Sequence, residues 1–146
     1  MKHLKLLPLF IFGIALTFTS CTKEPEDRLP GEWNVSSKST ETETDPSGAT
    51  TTEVDMDAGG KINFSDDGTG TATDIDGDVD KFTWSATETT VTLTFVYEDG
   101  DSESMIFEVI ENEKDKQVLS TSYSYSYDGG LGTYSYETVT EITLTK

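Results

Sequence analysis

The sequence of 146 residues contains one histidine, His3, and one cysteine, Cys21. With no second thiol there is no intramolecular disulfide, so the fold must be held by its core alone. His3 lies in an apolar N-terminal leader, which leaves the rest of the chain without an imidazole. Ser–His and Cys–His nucleophiles, histidine bases and ordinary zinc or copper centres are excluded on that ground. Basic residues are also scarce: ten Lys and Arg stand against 28 Asp and Glu, a formal charge of −18. Such a surface repels nucleic acid and anionic head groups, so no nucleic-acid partner is expected, and nothing in the composition calls for a cofactor. What remains for chemistry is carboxylates, hydroxyls and phenols. A carboxylate pair is the minimum for glycoside hydrolysis, but no pair among the 28 acids stands out, and the chain is expected not to be an enzyme.

Lys2, His3 and Lys5 form a cationic start, and "LLPLFIFGIALTFTS" follows. This apolar run is shorter than the ~20 residues that span a bilayer and contains Pro8 and Gly13, so residues 1–20 read as a signal peptide rather than an anchor helix. The run ends in Thr19 and Ser20 before Cys21 and resembles a bacterial lipoprotein signal, in which small residues precede a cysteine that becomes acylated and N-terminal. Phe18 stands where that signal usually has Leu; the alternative is a plain secretory signal with an incidental cysteine. The resemblance implies attachment to a lipid bilayer through Cys21, at the outer membrane or cell surface of a bacterium. "CTKEPED" also resembles an export tag that sends lipoproteins to the outer face. Residues 21–30 are polar, charged and proline-bearing and are expected to be a tether. Removing the leader takes away Lys2 and Lys5 and no acid, leaving eight basic residues against 28 acidic ones, a charge near −20.

Residues 31–146 are expected to form one all-β domain. Thr, Ser, Val and Tyr dominate, helical periodicity is missing, and turn clusters recur: "TDPSG", "DAGG", "SDDG", "DIDGDVD", "SATE", "EDGD", "ENEKDK" and "DGGLG". Two of these breaks are open to being bulges, which gives about eight or nine strands. Short connections predict that sequence neighbours pair, and an antiparallel meander of this size closes into a barrel or splits into a β-sandwich to hide its edges. Alternation marks the inner row: Ile62 and Phe64; Phe82 and Trp84; Val91, Leu93, Phe95 and Tyr97. "MIFEVI" is apolar on both faces, so its strand is expected to be central or covered from outside.

"LPGEWNV" places Gly31 and Trp33 in a G-x-W arrangement ahead of the meander, and here the chain resembles a bacterial lipocalin-like lipoprotein domain. The resemblance implies an up-and-down barrel in which Trp33 plugs the closed end and Gly31 opens the first strand. It also implies an interior or mouth that holds a small apolar or amphipathic ligand, the alternative being a filled barrel that serves an envelope assembly through its surface. The chain is short for that family, lacks its second signature, and shows no basic partner for the tryptophan before ending at Lys146. A monomer is expected.

Two constellations remain. Asp74, Asp76, Asp78 and Asp80 carry carboxylates at alternate positions, as a calcium loop requires, but Gly77 follows the second acid and Ser85 occupies the twelfth position. A solvated hairpin turn is the plainer reading. In the last two strands, Leu119, Thr121, Tyr123, Tyr125 and Tyr127 share one face, and Tyr134, Tyr136, Thr138, Thr140, Ile142 and Leu144 share another. Pairing Tyr127 with Tyr134 sets Tyr125 opposite Tyr136 and Leu119 opposite Ile142, so like meets like. The tyrosines continue the aliphatic, inward rows and are expected near one barrel mouth, as a ligand rim or as a polar-topped core. The lipoprotein resemblance is tested directly by Cys21→Ala: the variant should appear in the soluble fraction, where the parent protein requires detergent for extraction, and a variant that still needs detergent contradicts acylation at this cysteine.

Overall fold

The structure, a computed structural model, describes residues 23–97 and 99–146; the leader and Cys21 lie outside the described residues. After a single helical turn, α1 (Pro25–Arg28), come eight strands: β1 (Gly31–Thr44), β2 (Thr50–Phe64), β3 (Thr69–Thr73), β4 (Val79–Ala86), β5 (Thr90–Val96), β6 (Ser102–Asn112), β7 (Lys116–Asp128) and β8 (Thr133–Thr145). Each pairs antiparallel with the next, and β1 pairs with β8, so the sheet is a closed antiparallel up-and-down barrel. The sandwich alternative is set aside.

Turn chemistry explains the count. Seven of the eight breaks are hairpin connections, in which Asp45, Asp67 and Asp74 accept backbone N–H groups of the residues that follow them. The eighth, "DAGG", is a bulge. Gly59 and Gly60 both have positive φ, 133° and 122°, and together they oppose the single residue Val35 where the β1–β2 register shifts. A Cβ on Gly60 would lie 2.9 Å from the Thr73 carbonyl oxygen, so a side chain there is strained twice over.

Strand lengths are unequal, and this shapes the molecule. β2 pairs with β3 only over Lys61–Phe64, and β6 meets β7 only up to Ser120. Beyond those rungs, β2, β1, β8 and β7 continue as a four-stranded sheet without the other half of the barrel. At the usual rise per residue, the eight residues from Thr121 to Asp128 carry it roughly 25 Å further.

The core fills the opposite end. Trp33, Phe64, Val91, Phe107, Leu119 and Leu144 are buried, Phe64 meets Phe82 and Trp84 edge-on, and Phe82 packs on Gly70 where a Cβ would collide with its ring. Two expectations need correction here. The tether is shorter than residues 21–30, because α1 folds back over the barrel end and buries Pro25 and Leu29. The tryptophan does have a basic partner: the Lys146 ammonium stands 4.3 Å from the centroid of the Trp33 ring, a contact that joins opposite ends of the sequence. The strand apolar on both faces, β6, is central, paired with β5 and with β7, and its outward Ile106 and Ile110 are exposed, Ile110 at a second register shift.

Trp33 Nε1 also donates a 2.6 Å hydrogen bond to the Leu29 carbonyl, so the indole is both packed and polar-satisfied. Trp33→Ala is expected to lower unfolding stability by about 3–5 kcal/mol in chemical denaturation. Lys146→Met, which removes only the cation above the ring, should cost about 0.5–1 kcal/mol. Near-wild-type stability for Trp33→Ala would show that the closed end does not depend on this side chain.

Candidate functional site

The barrel interior is filled up to the level of Leu93 and Phe107 and then opens. Above that level lies a cup of about 250 Å³. Its lower wall is the buried row of Ile62, Leu93, Phe107 and Leu144; its upper wall is the half-buried Val35, Phe95 and Ile142. Met105 sits at the rim, 36% exposed. The Gly59–Gly60 bulge forms one side, where a side chain would narrow the opening. At roughly 30 Å³ per water the space equals about eight waters, and an engineered cavity of about 150 Å³ already admits benzene. The lining is mainly aliphatic and aromatic, with Lys61, Asp74 and Asp80 at the edge. Such a cup suits an apolar group the size of one or two rings, with a polar end directed outward.

The acidic loop is a turn. Asp74 Oδ1 accepts the backbone N–H groups of Asp76, Gly77 and Asp78 at 2.8–2.9 Å, and Gly77 takes a φ of 94°. Among the described residues no three acidic side chains converge as metal ligands, so Asp74, Asp76, Asp78 and Asp80 are not gathered into a calcium site.

The tyrosines keep the expected register: Tyr127 opposes Tyr134, Tyr125 opposes Tyr136, and Leu119 opposes Ile142. They also lie on the face that continues the barrel's inner surface. Their surroundings differ from the expectation, because β7 stops pairing with β6 at Ser120 and continues with β8 alone. None of the five lines the cup. Tyr125 and Tyr136 instead border a larger, open groove of about 530 Å³ whose other walls are Ser, Thr and Glu137. The rings pack on one another as a ladder: Tyr125 on Tyr136 at 4.9 Å and 6°, Tyr127 on Tyr134 at 5.3 Å and 9°. Tyr123 ends the ladder, tilted 32° against Tyr125 and 66% exposed. Gly31 opens β1, and Trp33 is fully buried at the end covered by Leu29.

The cup residues Phe95 and Ile142 were legible as inward-facing but not as uncovered, since that depends on where neighbouring strands stop; Met105, in a segment apolar on both faces, was not assigned a side. Across the ladder, Glu43 of β1 opposes Tyr136. The Glu43 carboxylate, which accepts from the phenol, and then the Tyr127 hydroxyl push Tyr136 ionisation well above the usual phenol range. The folded value thus exceeds the unfolded one, so this bond's contribution is intact below about pH 10 and is lost as the pH rises further. In an ultraviolet titration the Tyr136 step should lie above the usual phenol range, and Glu43→Gln should lower it; an unchanged step in that variant contradicts the pairing.

No family model matches this chain, and no curated protein matches it. Among solved structures, a lipocalin-like protein from Bacteroides uniformis is similar over 82% of this chain and 98% of its own length, with 14% identity and a TM-score of 0.42. A likeness that distant transfers neither a ligand nor a residue role; the barrel assignment stands on the closed strand pairing itself.

Proposed function

We propose that this protein is a lipid-anchored β-barrel of a bacterial envelope or cell surface, and that it holds a small apolar or amphipathic molecule in the cup at its open end. The cup carries the reading: a cavity walled by Val35, Leu93, Phe95 and Ile142 and open to water beside Met105. The ligand's apolar part displaces water from that wall, worth about 25 cal/mol per Å² of apolar surface buried. Its polar end meets Asp74 and Asp80, which favours a donor or cationic head over an anionic one. The reading is one of binding, with the carboxylates of Asp74 and Asp80 as contacts for the ligand's polar end.

Anchoring at Cys21 fits the same geometry. The Lys23 carbonyl accepts hydrogen bonds from Asn112 Nδ2 at 2.9 Å and from Arg28 Nε at 3.1 Å, beside the closed end. A lipid two residues earlier, within about 7 Å of chain, turns the closed end toward the bilayer and the cup away from it. With a strongly negative protein surface, acyl chains rather than protein charge supply the attachment.

A neutral solvatochromic dye tests the cup, because an anionic probe is repelled by the protein as a whole. Wild type should enhance the dye's emission saturably. Met105→Trp, which fills the mouth, should weaken binding at least tenfold with little change in melting temperature, while Tyr125→Ala leaves binding intact. If wild type takes up no neutral dye, the filled-barrel alternative, acting through its outer surface, replaces this reading.

A further inference from the structure

The sheet that rises above the barrel has two lateral edges, and they are built differently. On β2, residues 50–58 pair only with β1 among the described residues, and this edge carries Glu53, Asp55 and Asp57. On β7, residues 121–128 pair only with β8 among the described residues, and from Gln117 to Tyr127 there is no charged side chain and no proline. Proteins normally guard a free edge with charge, proline, a bulge or brevity. The β2 edge is guarded by three carboxylates; the β7 edge is long, neutral and rich in strand-forming residues.

We propose that two copies of this chain pair edge to edge along β7, antiparallel about a two-fold axis perpendicular to the sheet. This replaces the expectation of a monomer and does not rest on the cup. The strand is self-complementary by construction. A perpendicular two-fold opposes only residues of the same parity, so tyrosines face tyrosines and serines face serines wherever the axis falls. With the axis at Ser124, Tyr123 faces Tyr125 of the second copy, and Ser122 faces its Ser126. The open end of the ladder is then continued: Tyr123, whose described ring neighbour is Tyr125 alone, gains a second ring beside it. Ser side chains on the other face are small enough to leave the backbones at strand-pairing distance, about 4.8 Å.

Charge decides between occupants and between edges. A chain carrying −18 disfavours meeting its own copy, but exposed charges are screened beyond about 8 Å at physiological ionic strength. The neutral β7 edge is where two such chains approach with least repulsion, and the carboxylates of the β2 edge stop the sheet from growing further. The assembly therefore closes as an isologous dimer instead of propagating as a fibre. One strand pair with a row of rings buries less than the roughly 1,200 Å² of a stable interface, so the dimer should form and dissociate with concentration.

Sedimentation velocity of the full chain over a concentration series tests this, at low and at physiological salt. The dimer fraction should rise with protein concentration and with salt. Ser124→Glu, at the middle of the free edge, should be monomeric at concentrations where wild type is dimeric. Thr52→Glu, the same added charge on the β2 edge, should behave as wild type, with circular dichroism confirming that both variants fold. Wild type that stays monomeric throughout overturns the proposal, and so does a dimer that survives Ser124→Glu or is lost equally in Thr52→Glu.

Discussion

Trp33 is fixed from two directions, and most of the architecture follows from that. Its indole N–H is committed to the Leu29 carbonyl, so the chain entering the barrel must bend through α1 and lay Pro25 and Leu29 across the closed end. Its ring face carries the ammonium of Lys146, so the chain leaving β8 must come back to the same point. Between these ties the buried rings and aliphatic side chains of β2, β4, β5, β6 and β7 pack around a single plug, and they do so at one end of the barrel only. A ring that large at one end leaves the other end short of side-chain volume. The cup is the complement of the plug.

The same economy explains the unequal strands. Short β3 and β5 suffice to enclose the plug and the cup floor. β1, β2, β7 and β8 continue past them because Thr, Ser and Tyr hold a pleated sheet without needing a core on either side. Stacked phenols substitute for burial along that extension, each ring shielding one face of the next. The Gly59–Gly60 bulge marks the level at which the inner row changes from Ile62 and Phe64 to Asp57 and Asp55, so an apolar interior gives way to an acidic, solvated face within a few residues of one strand.

Much of this was legible in the residues. Parity alone set the register of the final hairpin, rung by rung, because Tyr/Ser alternation allows one pairing that keeps like opposite like. Turn chemistry gave seven connections, but "DAGG" carries Asp57 and Gly60 at the same spacing as Asp74 and Gly77, so nothing local marked it as a bulge. Other features rest on distances that no local pattern encodes. Lys146 over Trp33 spans nearly the whole sequence, and nothing near either residue announces it. The tyrosines were placed on the correct face, yet whether that face closes over a cavity depends on where β6 stops pairing with β7, at Glu108–Asn112. Proline at the start of α1 read as tether chemistry, although Pro at a first helical position is favourable and Leu29 was apolar enough to be buried.

Pairing of the first strand with the last has a kinetic side. Asn34 meets Thr145 across 111 positions, and every other neighbour pair in the barrel is a local hairpin. Hairpins form within microseconds once their residues are available, whereas a contact of that span must first meet the entropy of closing a long loop. During synthesis, β2 to β7 can assemble as an open curved sheet while β1 holds only one of its two partners. Until residues 133–145 arrive, the plug has no cation above it, and β1 and β7 each present an unpaired border. Closure removes both borders at once, and in the interval before it the like charges of this acidic chain are what hold a neighbouring copy's strands away.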